Sequence, residues 1–237
     1  MYKDIETIIF DFGGTLDTNG IPWSQKYLIT LKINGFVFDD KLYHRIYKAS
    51  EEFLQNNSNN NFRSYKELMK EQLSFIISSI HLTGYENRHN YERIINEVFA
   101  DIWMDTVYCI KNSKEILETF KNKYKLGLVS NYYGNIKRIC KDMDLDKYFD
   151  VILDPNTACI HKPHPGIFSI ALKMLNSLPE NTFVIGDSYE DDIVPAKIIG
   201  CRTILLNRNI ILNESKYDSS DYTVKNINKI QSILQKK

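Results

Sequence analysis

The stretch IETIIFDFGGTLD, residues 5–17, decides the fold of this chain. Its first part is a short, nearly continuous apolar run rich in β-branched residues, a pattern typical of a strand buried on both faces of a parallel sheet. The run reaches Asp11 and leads into the glycine pair Gly13 and Gly14. Glycines let the backbone come close to a metal or substrate, so this segment is a candidate functional edge.

Similar apolar runs recur along the chain and alternate with helical patterns. Such alternation predicts an α/β fold, a Rossmann-like parallel sheet covered by helices on both faces. We expect strands at residues 5–12, 125–131, 149–154, 182–188 and 203–206. Helical periodicity predicts helices at 135–142, 165–176 and 192–199, the last of which ends at Gly200.

A long helical stretch separates the first two strands. Periodicity and start signals predict helices over 23–34, 39–54, 64–80 and 90–104, and Asn112-Ser-Lys-Glu115 predicts the start of another. Ser64 and Glu67 have the spacing of a capping box. We therefore predict a helical insert domain over residues 19–105, set into one α/β core domain made of residues 1–18 and 106–237.

The composition argues against several classes of protein. The chain has 237 residues, and 30 Lys and Arg balance 30 Asp and Glu. Binding to nucleic acid or to an anionic membrane needs an excess of basic residues, so we expect no such partner. A membrane span needs about 20 apolar residues in a row, and we expect none.

The four cysteines form no CxxC pair, and we expect buried thiols in a reducing cytoplasm. They are Cys109, Cys140, Cys159 and Cys201.

Chemically active side chains follow the ends of the predicted strands, where an open parallel sheet binds its ligands. Asp11 lies at the carboxyl end of the first predicted strand, Ser130 at that of the second and Asp187 at that of the fourth. Lys162 lies between the third strand and the fourth. Each residue alone would suit a turn, a helix cap or an exposed loop. Together they suit phosphoryl transfer, in which a carboxylate attacks phosphorus while Mg²⁺, a hydroxyl and an ammonium bind its oxygens.

Four motifs resemble those of the haloacid dehalogenase superfamily of aspartate-nucleophile hydrolases. They are DFGGTLD (11–17), LGLVSN (126–131), HKPHPGIF (161–168) and IGDSYEDDI (185–193), and the tail SSDYTVKNINKIQSIL (219–234) resembles the last strand and helix of these enzymes. The resemblance covers the whole chain. It implies a phosphatase-like, Mg²⁺-dependent hydrolase that works through an aspartyl-phosphate, and the helical insert resembles the C1-type cap domain of the superfamily.

The resemblance implies catalytic and substrate-binding roles for particular residues. Asp11 would be the nucleophile. Ser130 would hydrogen-bond a phosphoryl oxygen, and Lys162 would pair with Asp11 and the phosphoryl group. Gly14 and Asn131 would contact the substrate.

The resemblance also implies a set of magnesium ligands. The nucleophile Asp11 would be one ligand, and the backbone carbonyl of Gly13 would be another. Asp187 would supply the first ligand of the acidic motif and Asp192 the second, with Asp191 as the competitor for that second position.

Gly13 departs from the pattern of the family's phosphatases. These enzymes usually carry a second aspartate two residues after the nucleophile, which protonates the leaving oxygen and then activates water. General acid–base help of this kind contributes ~10²–10⁴-fold to the rate. Asp17, His161 and His164 are candidate substitutes, although each also suits a cap or loop role.

Three interpretations stay open at this point. The first is a Mg²⁺-dependent phosphatase acting on a small phosphorylated molecule, as a monomer or homodimer. The second is a C–halogen hydrolase, because a halide leaves without a proton. The third is a catalytically weak binding or regulatory protein on the same scaffold. The acidic motif favours the first interpretation, since its carboxylates would repel a nucleophilic carboxylate unless a cation lay between them.

Overall fold

A computed structural model describes residues 5–57, 63–82, 91–208 and 220–234. Contacts divide the chain into two compact units. The first, here the core unit, comprises Met1–Pro22 and Tyr108–Lys237, and the second, here the helical unit, comprises Trp23–Val107. Among the described residues, no helix is both long enough and apolar enough to cross a membrane.

The core unit is built on a parallel sheet. Its strands are β1 (Thr7–Phe10), β2 (Lys125–Val129), β3 (Val151–Leu153), β4 (Thr182–Gly186), β5 (Arg202–Leu206) and β6 (Tyr222–Val224). Their order in the sheet is β3-β2-β1-β4-β5-β6, and every neighbouring pair is parallel. The predicted α/β fold is confirmed. The strands are shorter than predicted at the segments that carry the motifs, because the chain leaves the ladder there to form loops.

Helices pack on this sheet within the core unit. They are α5 (Ile136–Asp142), α6 (Pro155–Ala158), α7 (Gly166–Leu175), α8 (Val194–Ile198) and α9 (Asn228–Leu234). Buried Phe168 and Leu172 of α7 belong to one apolar cluster with Ile9 of β1 and Val184 of β4. This packing fixes the central strands, whose ends carry the motifs. Gly200 ends α8 with a φ of 90°, as predicted for a helix-terminating glycine.

The helical unit contains α1 (Trp23–Ile33), α2 (Asp40–Gln55) and α3 (Tyr65–Leu82). The predicted capping box forms at the start of α3, where the Ser64 N–H donates to Glu67 Oε2 at 2.7 Å and the Glu67 N–H donates to Ser64 Oγ at 3.3 Å. The Tyr27 hydroxyl of α1 donates to the Met69 carbonyl of α3. This second contact ties α1 to α3.

One predicted helix boundary is wrong. Helix α4 runs without a break over Tyr91–Lys121 and therefore continues through Asn112, where a new helix was expected to start. Ser113 does not cap a helix; its hydroxyl donates to the Leu16 carbonyl at 2.7 Å. A residue of the predicted helix start thus makes a tertiary hydrogen bond from inside α4. The boundary between the two units also lies inside α4, between Val107 and Tyr108.

The prediction for the cysteines is partly wrong. Cys109, Cys140 and Cys201 are buried, as expected, but Cys159 is exposed. Cys159 follows the short helix α6 with a φ of 58°, a left-handed conformation that ends the helix on the surface of the loop leading to Lys162. Burial raises the pKa of the Cys140 and Cys201 thiols to about 12, so both stay protonated at neutral pH.

We expect Ser113→Ala to destabilise the protein by about 1–3 kcal/mol, because it leaves the buried Leu16 carbonyl without its donor. Ser74→Ala is the matched control, since the Ser74 hydroxyl makes a similar bond to the Lys70 carbonyl on the surface of α3 and its loss should change stability by less than about 0.5 kcal/mol. Urea denaturation followed by circular dichroism measures both. Equal stability of the two variants would contradict a structural role for Ser113.

Candidate active site

The site lies where the central strands end. β1 is paired with β2 on one side and with β4 on the other, so the order of the strands changes direction at β1. Ligands of open parallel sheets bind at the carboxyl ends of the strands at this kind of position. Asp11, Ser130 and Asp187 directly follow the ends of these three strands or lie within one residue of them.

Lys162 is the centre of the site. Its Nζ atom lies 2.6 Å from Asp11 Oδ1 and 2.6 Å from Asp192 Oδ1. All three side chains are buried, with exposed fractions of 4%, 6% and 1% for Lys162, Asp11 and Asp192. Burial acts to lower the pKa of Lys162, but the charges of Asp11 and Asp192 outweigh it and raise that pKa. Lys162 is therefore a permanent cation that bridges two carboxylates from different segments.

Three carboxylates meet around this lysine. Asp11, Asp187 and Asp192 each offer an oxygen atom, and these atoms all lie within 4.8 Å of one another. Burial, reinforced by the charges of Asp11 and Asp192, raises the pKa of Asp187 well above its usual value. Burial also raises the pKa of Asp192 to about 7, against the opposing effect of Lys162. If all three carboxyl groups ionise, their charge exceeds that of the single ammonium, and their all-oxygen donor set suits a hard divalent cation.

The structure distinguishes Asp192 from its neighbour Asp191. Both lie in a π-helical turn, Tyr189–Ile193, which begins after Ser188. The Ser188 N–H donates to Asp192 Oδ2 at 3.1 Å, and Asp192 belongs to the carboxylate cluster. Asp191 instead accepts from the Ser188 hydroxyl at 3.3 Å and returns its own N–H to that hydroxyl at 3.1 Å. The geometry thus favours Asp192 as the second residue of the acidic motif.

Two glycines make room for the carboxylates. Gly14 has a φ of 91°, and a Cβ atom built there would collide with the Asp187 carboxylate. A Cβ atom at Gly186 would collide with the carboxylate of Asp192. The Gly14 N–H donates to Asp17 Oδ1 at 2.7 Å, and its carbonyl accepts from the Gly20 N–H at 2.8 Å. Gly14 therefore has a visible role in the turn, and its predicted contact with substrate stays a prediction.

Thr15 is a site residue that the sequence analysis missed. Its hydroxyl lies 3.0 Å from Asp11 Oδ2 and 3.3 Å from Asp187 Oδ1. It is fully buried and connects the carboxylates that follow β1 and β4. The signal was present in the sequence, since Thr15 stands four residues after Asp11 and the turn at Gly14 brings such a residue back toward the aspartate.

The three candidate replacements for the missing acid all make local contacts. Asp17 is fully buried and accepts from the Gly14 N–H. His164 Nδ1 accepts from the Gly166 N–H at 3.0 Å. His161 Nδ1 lies 2.7 Å from the Lys162 carbonyl oxygen. These contacts are those of loop and turn residues.

The segment after β2 holds Ser130 and Asn131. Ser130 is buried, and its N–H donates to the Leu153 carbonyl of β3 at 3.1 Å. The Asn131 side chain bonds the backbone of Lys162, with Nδ2 donating to the Lys162 carbonyl at 2.9 Å and Oδ1 accepting from the Lys162 N–H at 2.8 Å. The amide expected to contact substrate is thus paired with another segment of the core unit.

Comparisons with known proteins place this site in a family. Residues 8–206 match the family model described as haloacid dehalogenase-like hydrolase. The chain is 21% identical over 209 residues to haloacid dehalogenase-like hydrolase domain-containing protein 3 of Xenopus laevis, covering 86% of this chain and 84% of that protein. It is 27% identical over 205 residues to the pyrophosphatase PpaX of Bacillus cereus, covering 84% of this chain and 82% of that protein.

A solved structure shares the fold. The HAD-hydrolase YfnB of Bacillus subtilis, determined bound to magnesium, superposes with a TM-score of 0.61 at 17% identity and covers 98% of this chain and 100% of its own. The family match extends from β1 to the end of β5 and includes every segment that contributes to the site. The chain therefore belongs to the haloacid dehalogenase-like hydrolases.

Proposed function

We propose that this hydrolase is a Mg²⁺-dependent phosphatase that acts on a small phosphorylated molecule through an aspartyl-phosphate on Asp11. The clustering of Asp11, Asp187 and Asp192 beside one ammonium carries the proposal, because the three carboxyl groups can all be ionised together only if a further cation is present. A phosphate dianion could not approach such a cluster unless a cation offset its charge. The similarity to the pyrophosphatase PpaX supports a phosphorylated substrate.

Asp11, Asp187 and Asp192 are the proposed side-chain ligands of the metal, and the Gly13 carbonyl is the proposed backbone ligand. Carboxylate and carbonyl oxygens are the donors that Mg²⁺ prefers, and the close spacing of the three carboxylates fits this use. When bound, Mg²⁺ would neutralise the negative charge of the phosphoryl group and polarise its oxygens. Thr15 would hold the carboxylates of Asp11 and Asp187 at a fixed distance from each other, because its hydroxyl contacts both.

In the proposed reaction Asp11 attacks phosphorus, and the bond from phosphorus to the leaving oxygen breaks with its electron pair going to that oxygen. Water then attacks the phosphorus of the acyl-phosphate and loses a proton to solvent, and the bond from phosphorus to Asp11 breaks with its electron pair returning to the carboxylate, which releases phosphate. Lys162 already contacts Asp11, so a phosphoryl group on Asp11 would lie beside the ammonium. Ser130 would donate a hydrogen bond to a phosphoryl oxygen, and both donors would stabilise the charge of the transition state.

Gly13 limits which leaving groups can react. It offers no acid, and the local contacts of Asp17, His161 and His164 do not favour any of them as a replacement. An alkoxide is a poor leaving group without a proton, whereas an aryloxide or carboxylate stabilises its own charge. We therefore propose aryl or acyl phosphates as the preferred substrates.

C–halogen hydrolysis is the second candidate function, and Gly13 is the observation that favours it, because halide departure needs no acid. The cluster of Asp187 and Asp192 beside the nucleophile argues against it, since a reaction without a metal gains nothing from extra carboxylates there. Halide release from a 2-haloacid, measured beside phosphate release from an aryl phosphate, decides between the two.

The helical unit is proposed as a cap that selects the substrate.

We expect Asp11→Asn to lower turnover of an aryl phosphate by at least ~10³-fold, because an amide is a poor nucleophile. Asp154→Asn is the matched control. Asp154 is also a buried aspartate that follows a strand, but it caps α6 by accepting from the Thr157 N–H, a role that asparagine fills equally well. Phosphate release measures both variants. An Asp11→Asn enzyme with more than a tenth of wild-type activity would remove Asp11 from the nucleophile's role.

Chelation should abolish turnover, and Mg²⁺ should restore it. Asp187→Ala should raise the Mg²⁺ concentration needed for half-maximal activity sharply, and Asp192→Ala should raise it more mildly, as a supporting ligand. Calorimetry of Mg²⁺ binding gives a readout that does not depend on turnover. Full phosphate release by the chelated protein would contradict the metal requirement, and full halide release from a 2-haloacid by the chelated protein would favour C–halogen hydrolysis.

Gly13→Asp should supply the missing acid and accelerate alkyl phosphates more than aryl phosphates, by up to ~10²–10⁴-fold. The wild-type protein should cleave aryl phosphates much faster than alkyl phosphates. The ratio of the two single-turnover rates, compared between wild type and variant, is the measurement. Similar rates for both substrates in the wild type would mean that another residue already acts as the acid.

A further inference from the structure

The Asn131 side chain and the Lys162 backbone form a two-point pair. One hydrogen bond runs from Asn131 Nδ2 to the Lys162 carbonyl at 2.9 Å, and the other runs from the Lys162 N–H to Asn131 Oδ1 at 2.8 Å. Two bonds between a planar amide and one residue's backbone fix both the distance and the orientation of that residue. The amide directly follows Ser130, so it is anchored near the end of β2.

Exposed residues flank Lys162 in its loop. Its neighbours Cys159, His161 and His164 are exposed. The hydrogen bonds of this loop are mostly local, as between the His164 N–H and the His161 carbonyl at 2.9 Å. The pair with Asn131 instead spans 31 residues of sequence. Together with the packing of Ile160 against the apolar cluster of the core unit, it sets the Lys162 backbone relative to the end of β2.

The Lys162 side chain needs such an anchor. Lysine has a long, flexible stem with about 2 kcal/mol of rotamer entropy, so a buried ammonium keeps its place only if its backbone is held. Here Nζ must reach Asp11 and Asp192 together, at 2.6 Å from each. A shift of the Lys162 backbone would break at least one of these contacts.

We propose that Asn131 is a positioning residue that acts through Lys162 and does not bind the substrate. The role rests on the proposed function, since the reaction it serves is phosphate-ester hydrolysis at Asp11. Each polar atom of the amide makes one hydrogen bond to the Lys162 backbone, so the orientation of the amide is set by Lys162. The rate of the chemical step, rather than substrate affinity, is the quantity that Asn131 controls.

The kinetic expectation follows from this placement. Asn131→Ala should lower kcat for an aryl phosphate by ~10–10²-fold, because displacement of a reacting group by about 1 Å can cost that much. KM should change by less than about threefold. A substrate-binding asparagine would give the opposite pattern, a raised KM with kcat nearly unchanged.

A double-mutant cycle tests whether Asn131 acts through Lys162. In a Lys162→Ala background, the further change Asn131→Ala should alter kcat by less than about twofold, because the group that it positions is already gone. An equal loss in both backgrounds would overturn the proposal. Asn176→Ala is the control for general destabilisation. Asn176 ends α7 with a φ of 48°, near the amino end of β2. Its replacement should lower the stability of the protein without lowering kcat.

A crystal structure of Asn131→Ala keeps the proposal testable even if Lys162→Ala has no measurable turnover. Lys162 Nζ should lose its contact with Asp11 or with Asp192 in that structure. An unmoved Lys162 would overturn the proposal whatever the kinetics. If the wild-type protein with Mg²⁺ hydrolyses no phosphate ester, the proposed function fails on its own, and the crystal structure still decides the role of Asn131.

Discussion

The buried ion bridge from Lys162 to Asp11 and Asp192 is the interaction on which the site depends. Two carboxylates separated by most of the core unit's sequence meet one ammonium at 2.6 Å each. Removing one partner from such a buried group leaves an uncompensated charge, which costs about 3–5 kcal/mol. The bridge can form only if β1 and β4 lie side by side, and their parallel pairing places Asp11 close to the segment that follows Gly186.

Small residues allow this density of charge. The carboxylates of Asp187 and Asp192 occupy the space where side chains of Gly14 and Gly186 would lie. Glycine at these positions therefore lets carboxylates approach the backbone of two strand ends. Burial then raises the pKa of both carboxyl groups, because their charged forms are unfavourable there, and the proposed cation would offset that cost. Strain of this kind is typical of a site kept for chemistry rather than for stability.

Much of this arrangement could be predicted from the sequence, because strand ends are local features. The apolar runs predicted the sheet, and the residue after each run predicted Asp11, Ser130 and Asp187. The hydrogen-bond partners of individual side chains could not be predicted in the same way. Thr15 and Asn131 bond to partners that only the tertiary fold brings near, and the helix start predicted at Asn112 lies inside the continuous helix α4. Asp191 and Asp192 differ only in how a π-helical turn directs them.

The continuity of α4 limits how the chain can be divided. The two units meet inside this 31-residue helix, between Val107 and Tyr108, so there is no linker at that point. A polypeptide that ended at Val107 would expose four carbonyl groups that the next helical turn now satisfies, and a fragment starting at Tyr108 would expose four N–H groups. A different helical unit could therefore be joined here only by continuing one helix into the other with the same residue register. An insertion of one residue in α4 would rotate every later residue of the helix by about 100° about the helix axis.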